Sequence, residues 1–179
     1  LGELTRVDGV DPHLELGGLV DLYQWEMGNP ALLFDHLQGY PPGYRVLANV
    51  FTSLRRIALS LDLPLDYGPR EFVQAWRTQL KDLRPIPPRV VDTGPVLAHH
   101  QQGGAVDITR FPAPLWHAGD GGRYLGTGTV DVTKDPDSDW INLGTYRVMI
   151  HDRKRVGLYI SPGKHGRQHR DKYFARGEP

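Results

Sequence analysis

The chain has 179 residues, 39% of them hydrophobic and 23% charged, the balance of an ordinary globular protein. Its 21 basic side chains match its 21 acidic ones, so no net field favours nucleic acid or an anionic membrane. Cysteine is absent, which excludes disulfides and thiolate metal sites. Neither a bilayer-long apolar run nor a signal-peptide pattern is present, and a cytoplasmic setting is the expectation.

Residues 3 to 9 alternate loosely and suit a strand. Asp11 as N-cap, Pro12 at the first helical position and Glu15 in the first turns predict a helix lined by Leu16, Leu19, Val20 and Tyr23. Gly17 and Gly18 weaken that prediction. "ALLF" between two turns and "YRVLANVF" read as strands. "TSLRRIALSLDLP" predicts a short helix with Leu54, Ile57, Ala58 and Leu61 on one face. Pro69 opens a longer helix lined by Phe72, Val73, Trp76 and Leu80, with Pro85 just beyond its end. The proline-rich "RPIPPRVVDTGPV" marks a boundary near residue 92. After it, antiparallel strands are expected from roughly Thr93 to Ile160. Thr129 to Thr133 alternates, "KDPDSD" is a turn, and "TYRVMI" and "VGLYI" flank "HDRKR". A closing helix runs from Lys164 to Ala175. The expected class is α+β, with an N-terminal α/β domain at 1–92 and a strand-rich domain at 93–179.

Several residues in the second half carry chemistry. Asn142 reads either as a turn residue beside "DPDSD" or as an amide-oxygen ligand for a hard cation such as Mg2+ or Mn2+. Arg147 reads either as a rim arginine in a surface ion pair or as a fixed guanidinium facing a carboxylate or phosphate. His165 is either a surface histidine at a helix start or a metal ligand, with Lys164 and the helix N-terminus able to hold a phosphate. His117 and Asp120 belong to an Asp-Gly-Gly turn, and His99 and His100 to a loop surface. Trp25, Trp76 and Trp116 are read as core or boundary packing. There is no Walker loop, Gly-x-Ser-x-Gly elbow or HExxH pair.

Together, "DGGRY", "NLGTYR" and "SPGKH", in that order, resemble the UbiD-like family of decarboxylases. The resemblance extends upstream through "ELTRVDGVDPHLELGGL" and "ALLFDHLQGYPPGYRVLANVF" and so covers nearly the whole chain. It implies that residues 93–179 are the first part of a split β-barrel of flavin-reductase-like type. It further implies prenylated FMN (prFMN) as cofactor, with Mn2+ (or Mg2+) and K+ as the candidate ions. Asn142 and His165 match the family's metal ligands, pointing at one metal–phosphate position. Thr145, Tyr146, Arg147, Tyr159, Ile160, Ser161, Lys164 and His165 match cofactor-contacting positions. Arg147 matches the arginine of the catalytic Glu–Arg–Glu/Asp network. The family's third metal ligand and its two catalytic acids would fall after Pro179, and a family N-terminal helix before Leu1, so the chain reads as a fragment.

The activity implied is reversible non-oxidative decarboxylation of an aromatic acid, closest to hydroxybenzoates, or of an α,β-unsaturated acid. The partners implied are that acid, the remainder of the same enzyme, and further copies in a dimer or hexamer, with no nucleic acid or membrane. Two other readings stand beside it: a non-catalytic module that binds flavin or a partner, and a split-barrel flavin reductase.

Overall fold

The computed structural model describes residues 2–25, 27–84, 86–87, 89–126 and 128–178. The first half is built on a βαβ unit. Strand β1 (Leu4–Asp8) leads into helix α1 (Glu15–Trp25) and returns as β2 (Ala31–Asp35), which pairs parallel with β1. β3 (Val46–Ala48) adds antiparallel on the far side of β2. β2 is therefore central, which is why "ALLFD" is apolar in a continuous run rather than in alternation. Leu32 and Phe34 are fully buried and form the core with Val10, Leu16, Leu37 and Ala48.

Helix α1 begins three residues later than the capping pattern predicts. Leu14 sits at φ 70°, so the chain makes a tight turn before Glu15. Asp11 still organises this turn: its Oδ1 accepts from His13 N at 2.8 Å, and Glu15 Oε2 accepts from Asp11 N at 2.8 Å. The delay has a tertiary cause. His13 forms a parallel bridge with Leu115, and Leu14 N donates to Leu115 O at 2.9 Å. The backbone of residues 12 to 14 is thus recruited by the second half of the chain.

Helix α2 (Leu54–Ser60) is held by the buried Arg56 rather than by its apolar stripe alone. The Arg56 guanidinium donates to Glu3 Oε2 at 2.8 Å, Asn29 O at 2.8 Å and Val50 O at 3.0 Å, joining α2 to the strand starts. Helix α3 (Pro69–Asp82) forms as predicted, with Pro69 in its first turn, but none of its residues is buried. Val73 and Leu80 of the predicted stripe are exposed. Pro85, expected as its stop, lies outside the described residues.

The strands expected from Thr93 onward start only at Tyr124. Before that come three single 3-10 turns, Pro95–Leu97, Gly103–Ala105 and Ile108–Arg110. Pro95 lacks a backbone donor and Gly94, Gly103 and Gly104 have low β-propensity, so the first two stretches turn locally, while Asp107 caps the third by accepting from Thr109 N. Thereafter the pairing is antiparallel. β4 (Tyr124–Gly126), β7 (Val148–Ile150) and β8 (Val156–Leu158) form one sheet, and β5 (Asp131–Lys134) and β6 (Ile141–Gly144) form a hairpin. Helix α4 (His165–Ala175) packs on that hairpin through the buried Gly166 and His169. The architecture is α+β, as predicted, with the barrel strands present as two separate antiparallel pieces among the described residues.

Residues 111 to 124 lace the two halves together. Trp116 packs on the N-terminal core, Tyr124 N donates to Pro114 O at 3.0 Å, and Arg123 Nε donates to Ala113 O at 2.8 Å while its Nη2 reaches Tyr40 OH. Trp25, expected to pack, is instead 77% exposed. His117 and Asp120 form the expected turn: Asp120 Oδ2 accepts from His117 N at 3.0 Å.

Candidate functional site

A cavity of about 1240 Å³, open to solvent, lies among β4, β6, β7, β8 and the start of α4. Its wall contains Asn142, Thr145, Tyr146, Arg147, Tyr159, Ser161, Lys164 and His165. Eight of the nine cofactor and metal positions named from the sequence therefore share one cavity. Ile160 is the exception. It is buried and does not line the cavity, because extended backbone turns alternate side chains to opposite faces and Tyr159 and Ser161 take the cavity side.

Tyr146 is the anchor of this arrangement. Its ring folds back over Gly144 and lies against Gly166, where a side chain at either position would collide with it. Its hydroxyl accepts from Gly166 N at 3.2 Å, which brings the first turn of α4 against the strand. Its own backbone is held at both ends: Tyr146 N donates to Asp131 Oδ2 at 2.9 Å, and Thr129 Oγ1 donates to Tyr146 O at 2.8 Å. Thr145 and Arg147, on either side, are exposed toward the cavity. Among the described residues no carboxylate pairs with Arg147.

Asn142 is buried at 9% exposure in the middle of β6. Its Nδ2 donates to Thr133 Oγ1 at 3.3 Å and to Tyr146 OH at 3.4 Å. Both amide protons are thus used inward, and the carbonyl oxygen is what remains for the cavity. His165 opens α4 and stands edge-on to Trp140, ring centroids 4.8 Å apart. The N-cap of α4 is Lys164, which makes no side-chain cap; Gly166 N is taken by Tyr146 OH and Arg167 N by Lys164 O, so among the described residues His165 N is the first-turn donor left for an external anion.

The wall carries two cations, Arg147 and Lys164, and the His165 imidazole, with no acid among the described residues. Beside the cations, Tyr124, Met149, Leu158 and Tyr159 supply apolar and aromatic surface. Such a wall suits a flat ring bearing an anionic group. An amide oxygen and an imidazole next to it fit a divalent cation that shares the anion, since both donors are neutral and the anion supplies charge. The donor set therefore fits a metal-bound flavin phosphate. Tyr124 and Met149 were not singled out from the sequence. Tyr124 closes the "DGGRY" motif, which is the signal by which it could have been found. Met149 shows its role only through Gly122, whose missing side chain makes room for the Met149 thioether 3.1 Å from where a Cβ would stand.

Two family domains match the chain. The 3-octaprenyl-4-hydroxybenzoate carboxy-lyase N-terminal domain matches residues 1–76, and the Rift-related domain of the same carboxy-lyase matches residues 89–179. The chain belongs to the UbiD family. It is 36% identical to pyrrole-2-carboxylic acid decarboxylase of Pseudomonas aeruginosa over 99% of this chain and 37% of that protein. It is 32% identical to ferulic acid decarboxylase 1 of Candida dubliniensis, again over 99% of this chain and 37% of that protein. Among solved structures it resembles vanillic acid decarboxylase of Sedimentibacter hydroxybenzoicus in its closed form, with TM-score 0.87, 27% identity, and 99% of this chain against 38% of that one. It also resembles an evolved dimeric form of the UbiD-class enzyme HmfF from Pelotomaculum thermopropionicum in complex with prFMN, with TM-score 0.83, 27% identity, and 99% against 39%. The chain thus spans little more than a third of the length of the relatives it matches. Among the described residues no helix is long and apolar enough to cross a membrane.

Proposed function

We propose that the protein carrying this UbiD-family chain removes the carboxyl group of an aromatic or α,β-unsaturated acid, using prFMN and a divalent cation, Mn2+ or Mg2+. The observation that carries this reading is a wall with no acid among the described residues, on which the cations Arg147 and Lys164 share one cavity with the metal-ligand types Asn142 and His165. The named decarboxylase relatives support the reaction class, and the prFMN complex of HmfF supports the cofactor.

The roles divide by chemistry. Asn142 and His165 ligate the cation through amide oxygen and imidazole. Lys164 and the His165 backbone N–H at the start of α4 hold the flavin phosphate. Thr145, Tyr146, Tyr159 and Ser161 form the strand surface against the cofactor. When bound, prFMN supplies the electron sink for loss of CO2. Arg147 holds the substrate carboxylate and so keeps the reacting bond oriented. Two neutral ligands leave an ion with open positions, which the flavin phosphate and water would share.

The test is a decarboxylation assay on the full-length protein reconstituted with prFMN and Mn2+, against pyrrole-, cinnamate- and hydroxybenzoate-type acids. CO2 release from at least one class is expected. Asn142→Ala is expected to lower bound metal and flavin together, read by elemental analysis and flavin absorbance. Full metal and flavin content in that variant overturns the ligand assignment. Nicotinamide-dependent flavin reduction without CO2 release would turn the reading to a flavin reductase.

A further inference from the structure

Behind Asn142 lies a chain of buried polar groups that the cavity does not use. Thr133 is the cross-strand partner of Asn142 in the β5–β6 hairpin, and its Oγ1 receives the Asn142 amide. The same Oγ1 is 3.0 Å from His169 Nδ1. His169, on α4, is 1% exposed, and its ring stands edge-on to Trp140 at 4.5 Å. Its Nε2 is buried without a hydrogen-bond partner, 3.9 Å from Asp135 Oδ2. Asp135 is itself 2% exposed and accepts from Lys172 Nζ at 2.5 Å, whose ammonium holds its carboxyl below the usual range.

The direction of this chain decides which end of the Asn142 amide faces the cavity. A hydroxyl has one proton. If His169 Nδ1 carries no proton, Thr133 donates to it, Thr133 accepts from Asn142 Nδ2, and the amide oxygen is left to the cavity. If Nδ1 carries the proton, Thr133 is free to donate to the amide oxygen, and the NH2 group turns toward the cavity, where it repels a cation. Asp135 selects between the two. An ionised carboxylate 3.9 Å from Nε2 attracts a proton there and disfavours a bare lone pair, so the neutral imidazole carries its proton on Nε2.

We propose that Thr133 and His169 are positioning residues that orient Asn142 with its oxygen toward the metal, with Asp135 setting the tautomer of His169. The inference rests on the reading that Asn142 is a metal ligand. Loss of outer partners of this kind typically lowers metal affinity about 10–100-fold.

Two measurements on the full-length protein test it. Mn2+ affinity is read by electron paramagnetic resonance of free Mn2+ for the wild type, Thr133→Val, Thr133→Ser and Asn142→Ala, with thermal unfolding of each metal-free protein alongside. Thr133→Val is expected to bind Mn2+ about 10–100-fold more weakly, and Thr133→Ser, which keeps the hydroxyl, to bind as the wild type does. Unchanged binding by Thr133→Val beside weakened binding by Asn142→Ala overturns the inference alone. Unchanged binding by Asn142→Ala overturns the metal reading and the inference with it. The second measurement needs no variant. With 15N-labelled histidine in the wild-type protein, His169 is expected to show a pyridine-type Nδ1 and a pyrrole-type Nε2 signal. The reverse pattern overturns the proposal even if Thr133→Val fails to fold.

Discussion

Arg147 stands next to the most tightly held residue of the cavity. Tyr146 is fixed by its ring between Gly144 and Gly166, by its hydroxyl, and by both of its backbone polar groups. The Cα of Arg147 is therefore positioned by its neighbour while its guanidinium reaches the cavity wall with no carboxylate partner among the described residues. A pre-placed base with a free head suits an anion that arrives with the substrate. Arg147→Ala in the reconstituted full-length protein is expected to lower turnover by at least about 100-fold, the scale of losing one placed donor. Bound flavin should stay near the wild-type stoichiometry, because the proposed phosphate and metal contacts lie with Lys164, His165 and Asn142 instead. Arg147→Lys should also turn over poorly, since an ammonium cannot make a planar two-pronged contact. Turnover and flavin content measured on the same preparations decide this. Wild-type turnover in the alanine variant would leave Arg147 a rim residue.

At the scale of elements, the two glycines of α1 separate local propensity from tertiary need. In isolation both lower helix stability. Gly17 is buried where α1 meets the Trp116 backbone, and any Cβ there would collide with the Trp116 carbonyl. Gly18 is exposed, with nothing within 4 Å of where its Cβ would stand. Gly17→Ala is expected to destabilise the protein by roughly 1–3 kcal/mol, as forced overpacking does. Gly18→Ala should stabilise it by about 0.5–1 kcal/mol through helix propensity alone. Urea unfolding of the two variants reads both signs. A Gly17→Ala protein as stable as wild type would mean that α1 is not clamped against residue 116. Helix α3 shows the converse. Its proline start and apolar spacing specify a helix locally, yet none of its residues is buried, so its stripe predicts periodicity and not burial.

Across the whole molecule, apolar surface is left open on the strand half. Val132 and Leu143 are a cross-strand pair on one face of the β5–β6 hairpin, and both are more than 60% exposed. Ile141 on the same hairpin and Val130 just before it are exposed as well. A paired, contiguous apolar face of this kind is ordinarily an interaction surface. The chain spans 37% of its curated relatives, which leaves ample chain in such proteins to cover it. The 179-residue chain produced alone is expected to bind an environment-sensitive hydrophobic dye and to self-associate as its concentration rises. The full-length protein should do neither at the same molar concentration. Dye fluorescence and sedimentation of the two proteins side by side check this; equal dye binding would show that the face stays open in the complete protein.

The sequence by itself determined whatever depends on neighbours along the chain. Pro69 and the stripe of α3, the "KDPDSD" turn and the alternation leading into β5 all report local backbone preference, and each forms where expected within a residue or two. The motifs "NLGTYR" and "SPGKH" also named much of the cavity wall, because each is a short contiguous run whose residues lie side by side in the fold. Tertiary structure decided the rest. The delayed start of α1 depends on Leu115, a hundred residues away in sequence, which takes the hydrogen bonds the first turn would have used. Met149 enters the cavity wall because Gly122 leaves it room, and Ile160 leaves the wall because strand alternation gives the cavity to its neighbours. His169 is visible in the sequence only as one more polar residue on a polar helix. Its place behind Asn142 follows from α4 packing on the β5–β6 hairpin, and contacts made across a fold carry no local signal by which a sequence could announce them.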